Sequence, residues 1–282
     1  MQQIVCAFDL DNTLYDFIGF FAPSFRGMLH ALHKRTVVPI EVLHASARSV
    51  LANRDFLEYA FLVREMPCFE TTPDVELKEL ERIASGAFAR VRKRRLVAYE
   101  GMQTTVAAIY EAGMSVTAVT NAPLYQAYRR LQQLKLNQFF SVIIAIKNMP
   151  VPDGVKVAAR SRPWLFQSGL LVQEIPRELG KPTVFPFQKL QELCPLGREF
   201  YSIGDNISRD LLPAHDCGYQ TIWAKYGRDV SPSDFETVLS LSPPAVKSQE
   251  LASHSYVPDF TIERPHELLA VLPPPRQQRL FD

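Results

Sequence analysis

The feature that most constrains the fold is a series of short apolar runs that end abruptly in polar residues. The first run, residues 4–8, is followed at once by Asp9, Leu10, Asp11, Asn12 and Thr13. An unbroken apolar run of this length is typical of a strand that is buried on both faces, as in a parallel sheet. Ligands bind beyond the carboxyl ends of such strands. The polar residues after the run are therefore candidates for a functional site.

Similar runs recur along the chain and alternate with segments of helical periodicity. Strands are predicted at residues 116–119, 141–146, 200–203 and 220–223, and helices at residues 102–112, 124–135, 185–193 and 210–217. Strands that alternate with helices predict a parallel sheet with right-handed crossovers. We therefore predict an α/β fold, with a Rossmann-like parallel-sheet core over residues 1–15 and 98–228.

Residues 16–97 have a different pattern. They show no β-like alternation, and apolar residues recur at helical spacing, as at Phe25, Met28, Leu29 and Leu32. This pattern predicts an all-helical cap domain, inserted directly after the first strand.

Two further segments are predicted to lie outside the regular alternation. Residues 147–179 are predicted as an insertion in the core, which carries Lys147, Lys156, Arg160 and Arg162. Residues 229–282 are predicted as a C-terminal extension that is partly packed on the core. Within this extension, the Ser- and Pro-rich residues 231–244 are predicted to form a loop, residues 260–262 a strand and residues 266–272 a helix.

Composition limits the class of protein. The 282 residues carry a net charge of +1, which does not favour nucleic acid or an anionic membrane as a partner. No apolar run approaches the roughly 18 residues that span a bilayer, and the first residues lack the pattern of a signal peptide. Four widely spaced cysteines indicate buried thiols in a reducing compartment. We predict a cytoplasmic protein that binds neither nucleic acid nor membrane.

Four polar clusters follow predicted strands or precede helices, and parallel strands would bring them to one sheet edge. The clusters are Asp9/Asp11/Thr13, Thr120/Asn121, Lys181 and Asp205/Asp210. Carboxylates are the ligands that Mg²⁺ prefers, and Asp is a nucleophile toward phosphoryl groups. A lysine and hydroxyl groups stabilise phosphate charge, and a second carboxyl can act as general acid and base. Each cluster alone also fits a turn, a helix cap or a surface charge, so only the combination favours catalysis.

The four clusters resemble the four motifs of the haloacid dehalogenase superfamily. Asp9 to Thr13 matches D-x-D-x-T, and the apolar run that ends at Thr120-Asn121 resembles the second motif. Gly180-Lys181-Pro182 resembles the third, and Gly204-Asp205 through Asp210 resembles the fourth, G-D-x-x-x-x-D. The resemblance runs from about residue 4 to 227. It is to the phosphatase branch with a helical cap between the first two motifs, similar to phosphoglycolate phosphatase and pyrimidine 5′-nucleotidase.

The resemblance implies a role for each residue. Asp9 is implied as nucleophile, Asp11 as general acid and base, and Lys181 as the cation that neutralises nucleophile and phosphate. Phosphate binding is implied or expected for Thr120, Asn121 and Lys181. The implied magnesium set is Asp9, Asp11 (through its backbone carbonyl), Asp205 and Asp210, of which Asp210 acts through the waters of the metal or through Lys181. The chain between Thr120 and Lys181 is longer than usual for the family.

The predicted reaction is Mg²⁺-dependent hydrolysis of a small phosphate monoester through an aspartyl-phosphate on Asp9. A sugar phosphate, phosphoglycolate or a nucleotide 5′-monophosphate is the expected substrate, and a monomer or homodimer the expected state. Three alternatives stay open: a phosphomutase, a dehalogenase on the same scaffold, and a non-catalytic relative that binds a partner.

Overall fold

Seven strands form one sheet in the computed structural model, which describes residues 3–52, 57–148, 163–241 and 256–274. The strands are β1 Gln3–Phe8, β2 Ser115–Pro123, β3 Phe140–Ile146, β4 Leu171–Ile175, β5 Gly197–Gly204, β6 Gln220–Ala224 and β7 Phe260–Ile262. Their order is β4-β3-β2-β1-β5-β6-β7, and every neighbouring pair is parallel. The predicted α/β core with a parallel sheet is confirmed.

Strand β1 lies at the centre of the sheet because its side chains are apolar on both faces. Four of them are at most 1% exposed: Val5, Cys6, Ala7 and Phe8. Phe8 pairs with Ala118 of β2 on one side and with Ile203 of β5 on the other. The N–H of Asp9 donates to the carbonyl of Ile203 at 2.8 Å, so the pairing continues one residue past the strand. Asp9 is thereby fixed at the carboxyl edge of the central strand.

The helices of the described residues lie mostly where periodicity predicts them. They are α1 Phe17–Thr36, α2 Ile40–Leu51, α3 Leu62–Glu65, α4 Asp74–Arg95, α5 Met102–Glu111, α6 Leu124–Gln133, α7 Phe185–Leu193, α8 Leu212–His215, α9 Pro232–Leu241 and α10 Leu268–Val271. A π-helical turn, Ile207–Leu211, precedes α8. None of these helices combines the length and the apolar character that a membrane crossing requires.

The chain divides into two compact units. The core unit comprises Met1–Tyr15, Ala98–Asp229 and Ser253–Asp282, and the helical unit comprises Asp16–Val97 and Val230–Ala252. The helical unit contains α1 to α4 and α9, and none of the described strands. The all-helical domain that the fold prediction inserts after β1 is confirmed.

Helix α1 organises the helical unit. Its first turn is capped by Asp16, whose Oδ1 accepts from the N–H of Gly19 at 2.7 Å. Its buried face packs along α4, where the rings of Phe21 and Phe88 lie 5.9 Å apart in an edge-on arrangement. Aromatic packing of this kind buries a large apolar area and fixes the mutual orientation of two helices.

Helix α9 shows that the loop predicted over residues 231–244 is wrong for the part that the structure describes. Pro232 occupies the first helical position, where its missing N–H leaves no bond unmade. Val238 and Leu241, one turn apart, are 6% and 0% exposed. Arg26 of α1 lies 2.5 Å from Asp234 of α9. The Ser and Pro residues therefore mark the start of a helix, which packs within the helical unit.

The predicted insertion at residues 147–179 contributes a strand to the sheet. Its described part contains two short 3₁₀ turns, Pro163–Phe166 and Arg177–Leu179, with β4 between them at the sheet edge. Residues 149–162 lie outside the described residues, and with them Lys156, Arg160 and Arg162. At the opposite edge, β7 has the predicted bounds.

Candidate active site

Three aspartates converge at the carboxyl edge of the sheet. Asp9 follows β1 and Asp205 follows β5, while Asp210 lies in the π-helical turn after β5. One carboxylate oxygen from each lies within 4.8 Å of the other two. All three side chains are buried, at 5%, 4% and 1% exposure respectively. The parallel sheet thus brings together residues that the sequence separates by about two hundred positions.

Lys181 is the cation of this cluster. Its Nζ lies 2.6 Å from Asp9 Oδ1 and 2.6 Å from Asp210 Oδ1. The Asn121 side chain fixes the backbone of Lys181: it donates to the carbonyl at 2.7 Å and accepts from the N–H at 2.9 Å. The side chain of Asn121 therefore positions Lys181, and phosphate binding by Asn121 stays a prediction.

The hydrogen bonds divide the aspartates into two kinds. Asp210 is satisfied, because Oδ1 meets Lys181 and Oδ2 accepts from the N–H of Asn206 at 3.1 Å. Asp9 Oδ2 and Asp205 Oδ1 are buried and have no hydrogen-bond partner among the described residues. The guanidinium of Arg209 stays 3.7 Å from Asp205 Oδ1. Buried, unpaired carboxylate oxygens are costly, and two of them side by side are the donor set that a hard divalent cation satisfies.

Burial and mutual repulsion disturb the pKa values of the unsatisfied pair. Burial raises the pKa of Asp9 to about 6, although Lys181 opposes the shift. Burial, with repulsion from Asp210, raises the pKa of Asp205 to about 8. Both shifts show that the metal-free site resists carrying its full negative charge.

The pKa values of Lys181 and Asp210 shift in the direction of an ion pair. Burial would lower the pKa of Lys181, but Asp210 and Asp9 outweigh it and raise that pKa. Burial would raise the pKa of Asp210, but Lys181 and Arg209 outweigh it and lower that pKa. Lys181 therefore remains a cation and Asp210 a carboxylate, which keeps the lysine aimed at Asp9.

Thr120 lies near the end of β2, beside the carboxyl end of β1. Its side chain is 3% exposed, and its Oγ1 accepts from the N–H of Ala122 at 3.1 Å. This bond leaves the hydroxyl hydrogen available as a donor. Phosphate binding by Thr120 stays a prediction.

Asp11 stands apart from the three clustered aspartates. Its Oδ1 accepts from the hydroxyl of Tyr15 at 2.6 Å and from Arg130 Nη1 at 2.6 Å. Arg130 was not among the residues predicted for the site. A signal was present, because Arg130 falls on the same helical face of α6 as the apolar residues Ala127 and Leu131, where a charge is unexpected.

The end of β6 and the turn that follows it contact two parts of the site, and these contacts were also missed. The Tyr226 hydroxyl donates to the carbonyl of Thr13 at 2.9 Å, and Trp223 Nε1 donates to the carbonyl of Asp205 at 2.9 Å. A Cβ on Gly227 would lie 1.9 Å from the carbonyl oxygen of Asn12. Only glycine allows this turn to touch the chain next to Asp11, and a single sequence carries no signal for that contact.

Solved structures of proteins with different named activities share this fold. The Thermococcus onnurineus HAD phosphatase is 17% identical, with a TM-score of 0.55 over 98% of this chain and 100% of that chain. Magnesium-bound YfnB from Bacillus subtilis is 17% identical, with a TM-score of 0.52 over 96% and 98%. The 2-haloacid dehalogenase from Pseudomonas syringae pv. tomato DC3000 is 20% identical, with a TM-score of 0.52 over 96% and 98%. At these identities the likeness establishes the fold alone.

Sequence comparison identifies the family. No curated protein matches the chain. A sequence model of the haloacid dehalogenase-like hydrolases matches residues 6–161. This match covers more than half of the 282 residues and includes β1, the first helical segment and β2. The chain therefore belongs to the haloacid dehalogenase-like hydrolase family.

Proposed function

We propose that this protein is a Mg²⁺-dependent phosphatase that hydrolyses a small phosphate monoester through an aspartyl-phosphate on Asp9. One observation carries the proposal. Asp9 has one carboxylate oxygen 2.6 Å from Lys181 Nζ, while its other oxygen is buried and unsatisfied among the described residues, as is Asp205 Oδ1. An aspartate that contacts a lysine through one oxygen, and that has an unsatisfied oxygen beside that of a second aspartate, suits an attack on a phosphoryl group.

The residues present fit Mg²⁺. Asp9 and Asp205 would hold the ion through their unsatisfied oxygens, and the family resemblance adds the backbone carbonyl of Asp11. Asp210 contributes by holding Lys181, since both of its own oxygens are engaged. When bound, Mg²⁺ supplies charge stabilisation for the phosphoryl oxygens.

The side chains divide the reaction into two displacements. In the first, an Asp9 oxygen forms a bond to phosphorus while the bond from phosphorus to the ester oxygen breaks, and Asp11 gives that oxygen a proton. In the second, Asp11 takes a proton from a water whose oxygen bonds to phosphorus, and the bond between phosphorus and Asp9 breaks. Lys181 balances the charge of Asp9 and of the phosphate, and Thr120 donates to a phosphate oxygen.

We propose a small phosphorylated metabolite as the substrate, such as a sugar phosphate, phosphoglycolate or a nucleotide 5′-monophosphate. The magnesium in YfnB and the phosphatase from Thermococcus onnurineus support a metal and a phosphate ester on this fold. A cytoplasmic location and a monomeric or homodimeric state are part of the same proposal.

The unsatisfied carboxylate oxygens of Asp9 and Asp205 favour the phosphatase over a dehalogenase on the same scaffold. A dehalogenase needs a nucleophilic aspartate but neither a metal nor a second acidic residue. Here Asp205 is buried with an unsatisfied oxygen, and its pKa is raised to about 8. A buried carboxylate of this kind destabilises the fold unless a cation compensates its charge.

Phosphate release tests the proposal. Sugar phosphates, phosphoglycolate and nucleotide 5′-monophosphates are incubated with wild type, Asp9→Asn and Asp216→Asn, in Mg²⁺ and in EDTA. Asp216 is a matched control because its side chain is 56% exposed and lies outside the cluster. Wild type and Asp216→Asn should release phosphate only with Mg²⁺, and Asp9→Asn should lose about 10³-fold or more in kcat.

Other outcomes would favour the alternatives. Phosphate that moves to a second hydroxyl of the substrate without release indicates a phosphomutase. No reaction with any ester, together with a co-purifying protein, indicates a non-catalytic relative. Equal release by wild type and Asp9→Asn would refute Asp9 as the nucleophile.

A further inference from the structure

Arg130 is a buried cation on an otherwise apolar helical face. Its side chain is 4% exposed, and it lies in α6 one turn from the buried Ala127. A buried guanidinium is tolerated only where a partner compensates its desolvation. Its position in the core unit therefore depends on the group that it meets.

One group that it meets is the carboxylate of Asp11. Arg130 Nη1 lies 2.6 Å from Asp11 Oδ1, and the Tyr15 hydroxyl donates to the same oxygen at 2.6 Å. Arg130 Nη1 also lies 3.3 Å from the Tyr15 hydroxyl, so the three groups form a closed triangle. Two donors from different elements thus converge on one oxygen of the side chain that is proposed as acid and base.

The two oxygens of Asp11 are consequently unequal. Oδ1 accepts a charge-assisted hydrogen bond from Arg130 and a short hydrogen bond from the Tyr15 hydroxyl. A proton on Oδ1 would displace one of these two donors. None of the hydrogen bonds of the described residues uses Oδ2, and the Asp11 side chain is 25% exposed. Oδ2 is therefore the oxygen that is available to carry the proton that passes to or from the substrate.

We infer that Arg130 and Tyr15 are positioning residues that hold Asp11 by Oδ1, so that Oδ2 faces the reaction as the proton-carrying oxygen. The inference rests on the proposed function, because it assigns the orientation of the general acid and base. The inference adds Tyr15 and Arg130 to the residues of the site. Both contact Asp11 rather than the phosphate, and Arg130 lies on a helix that is distant from Asp11 in sequence.

Leaving-group dependence separates positioning from a merely structural role. The oxygen of an alkyl phosphate departs only when it receives a proton, whereas 4-nitrophenolate departs without one. If Arg130 aims Oδ2, its loss will slow alkyl esters much more than 4-nitrophenyl phosphate. If Arg130 only stabilises the fold, both substrates will slow by the same factor.

The experiment compares kcat/KM for two substrates in Mg²⁺, because kcat/KM reports the step in which the leaving group departs. The substrates are 4-nitrophenyl phosphate and the alkyl phosphate that wild type hydrolyses best. The variants are Arg130→Met, Arg130→Lys and Tyr15→Phe. Arg129→Met is the matched control, since Arg129 is the exposed neighbour on the same helix.

We expect Arg130→Met to lower kcat/KM for the alkyl ester at least about 10-fold more than for 4-nitrophenyl phosphate. Arg130→Lys should restore part of the difference, Tyr15→Phe should show it to a smaller degree, and Arg129→Met should show none. If Arg130→Met fails to fold by circular dichroism, Tyr15→Phe decides, because it keeps the buried ring and removes one donor.

Equal losses for the two substrates in the folded variants would overturn the inference while leaving the phosphatase intact. A wild type that hydrolyses neither substrate would instead refute the proposed function. The two failures are therefore distinguishable in the same assay.

Discussion

At the scale of a single residue, the raised pKa of Asp205 makes the stability of the fold depend on pH. Its folded-state pKa is raised to about 8 by burial, against about 4 in an unfolded chain. Below about pH 4 both states hold the proton, so the buried carboxyl does not destabilise the fold. As pH rises toward about 8 the unfolded state loses its proton first, and the metal-free fold loses stability. Mg²⁺ should compensate the charge that appears.

The first prediction is that Mg²⁺ raises the melting temperature more at about pH 8.5 than at about pH 6, since protons compete with the ion for Asp205. Asp205→Asn should lose the Mg²⁺ effect and, in EDTA at about pH 8.5, exceed wild type in stability by about 1–3 kcal/mol. Asp216→Asn should behave as wild type. Thermal melts at both pH values check this, and an equal Mg²⁺ shift at both would contradict the role of Asp205.

Gly227 gives a second prediction at this scale. Its Cβ would lie 1.9 Å from Asn12 O and 2.8 Å from Asp205 Cβ, so Gly227→Ala must displace a chain that borders the site. We expect a loss of about 2–4 kcal/mol in the free energy of unfolding and a large loss of the proposed phosphatase activity. Urea unfolding and the phosphate assay measure both.

Gly86→Ala is the control for Gly227→Ala. Gly86 lies inside α4, and its Cβ would approach nothing closer than 3.7 Å. Alanine there should be neutral or stabilise by up to about 1 kcal/mol. Similar destabilisation by both substitutions would mean that the close approach at Gly227 has no special cost.

Single residues also show what could be predicted. Asp9, Lys181 and Asp205 were predicted to meet because side chains that follow parallel strands share one edge. Arg130 was not, because its contact with Asp11 depends on how the face of α6 is turned, which periodicity along one chain does not determine. The contact of Asn121 with the backbone of Lys181 was not predicted either, because it joins residues 60 positions apart in the chain.

At the scale of elements, α9 shows where composition misleads. Its Ser and Pro residues are typical of a loop, yet the apolar spacing after Pro232 is helical. By contrast, β1, β5 and α7 were predicted within a few residues, since the apolar residues of each follow the spacing of a strand or a helix. Local signals therefore sufficed for these elements and failed for α9, whose packing partners are far away in sequence.

Packing, not the surface ion pair, should hold α9 in the helical unit. Leu241 is fully buried, whereas the Arg26 side chain that meets Asp234 is 42% exposed. We expect Leu241→Ala to lower the free energy of unfolding by about 2–4 kcal/mol and Arg26→Ala by at most about 1 kcal/mol.

Urea unfolding gives these two values, and hydrogen exchange of the α9 amides locates the effect. Exchange in Pro232–Leu241 should quicken markedly in Leu241→Ala and little in Arg26→Ala. A larger effect of Arg26→Ala would show that the ion pair, rather than Leu241, anchors the helix.

At the scale of the whole molecule, the fold class followed from the alternation of strands and helices, and the helical domain from the change of pattern after residue 15. The sequence pattern did not predict which segments of the chain belong to which unit. The helical unit takes residues from both Asp16–Val97 and Val230–Ala252. A periodic segment indicates that it is a helix but not which distant helix it joins, so membership of a unit is decided by long-range packing.

The central place of β1 has a consequence for biosynthesis. This strand is translated before every other described element, yet it lies between β2 and β5. Until residue 204 has left the ribosome, one flank of β1 has no neighbour and Asp9 has no Asp205 beside it. Apolar strand edges that stay open during translation attract chaperones and favour aggregation. Assembly of the site is therefore a late event in the life of the nascent chain, although Asp9 is made before Asp205 and before every described element after β1.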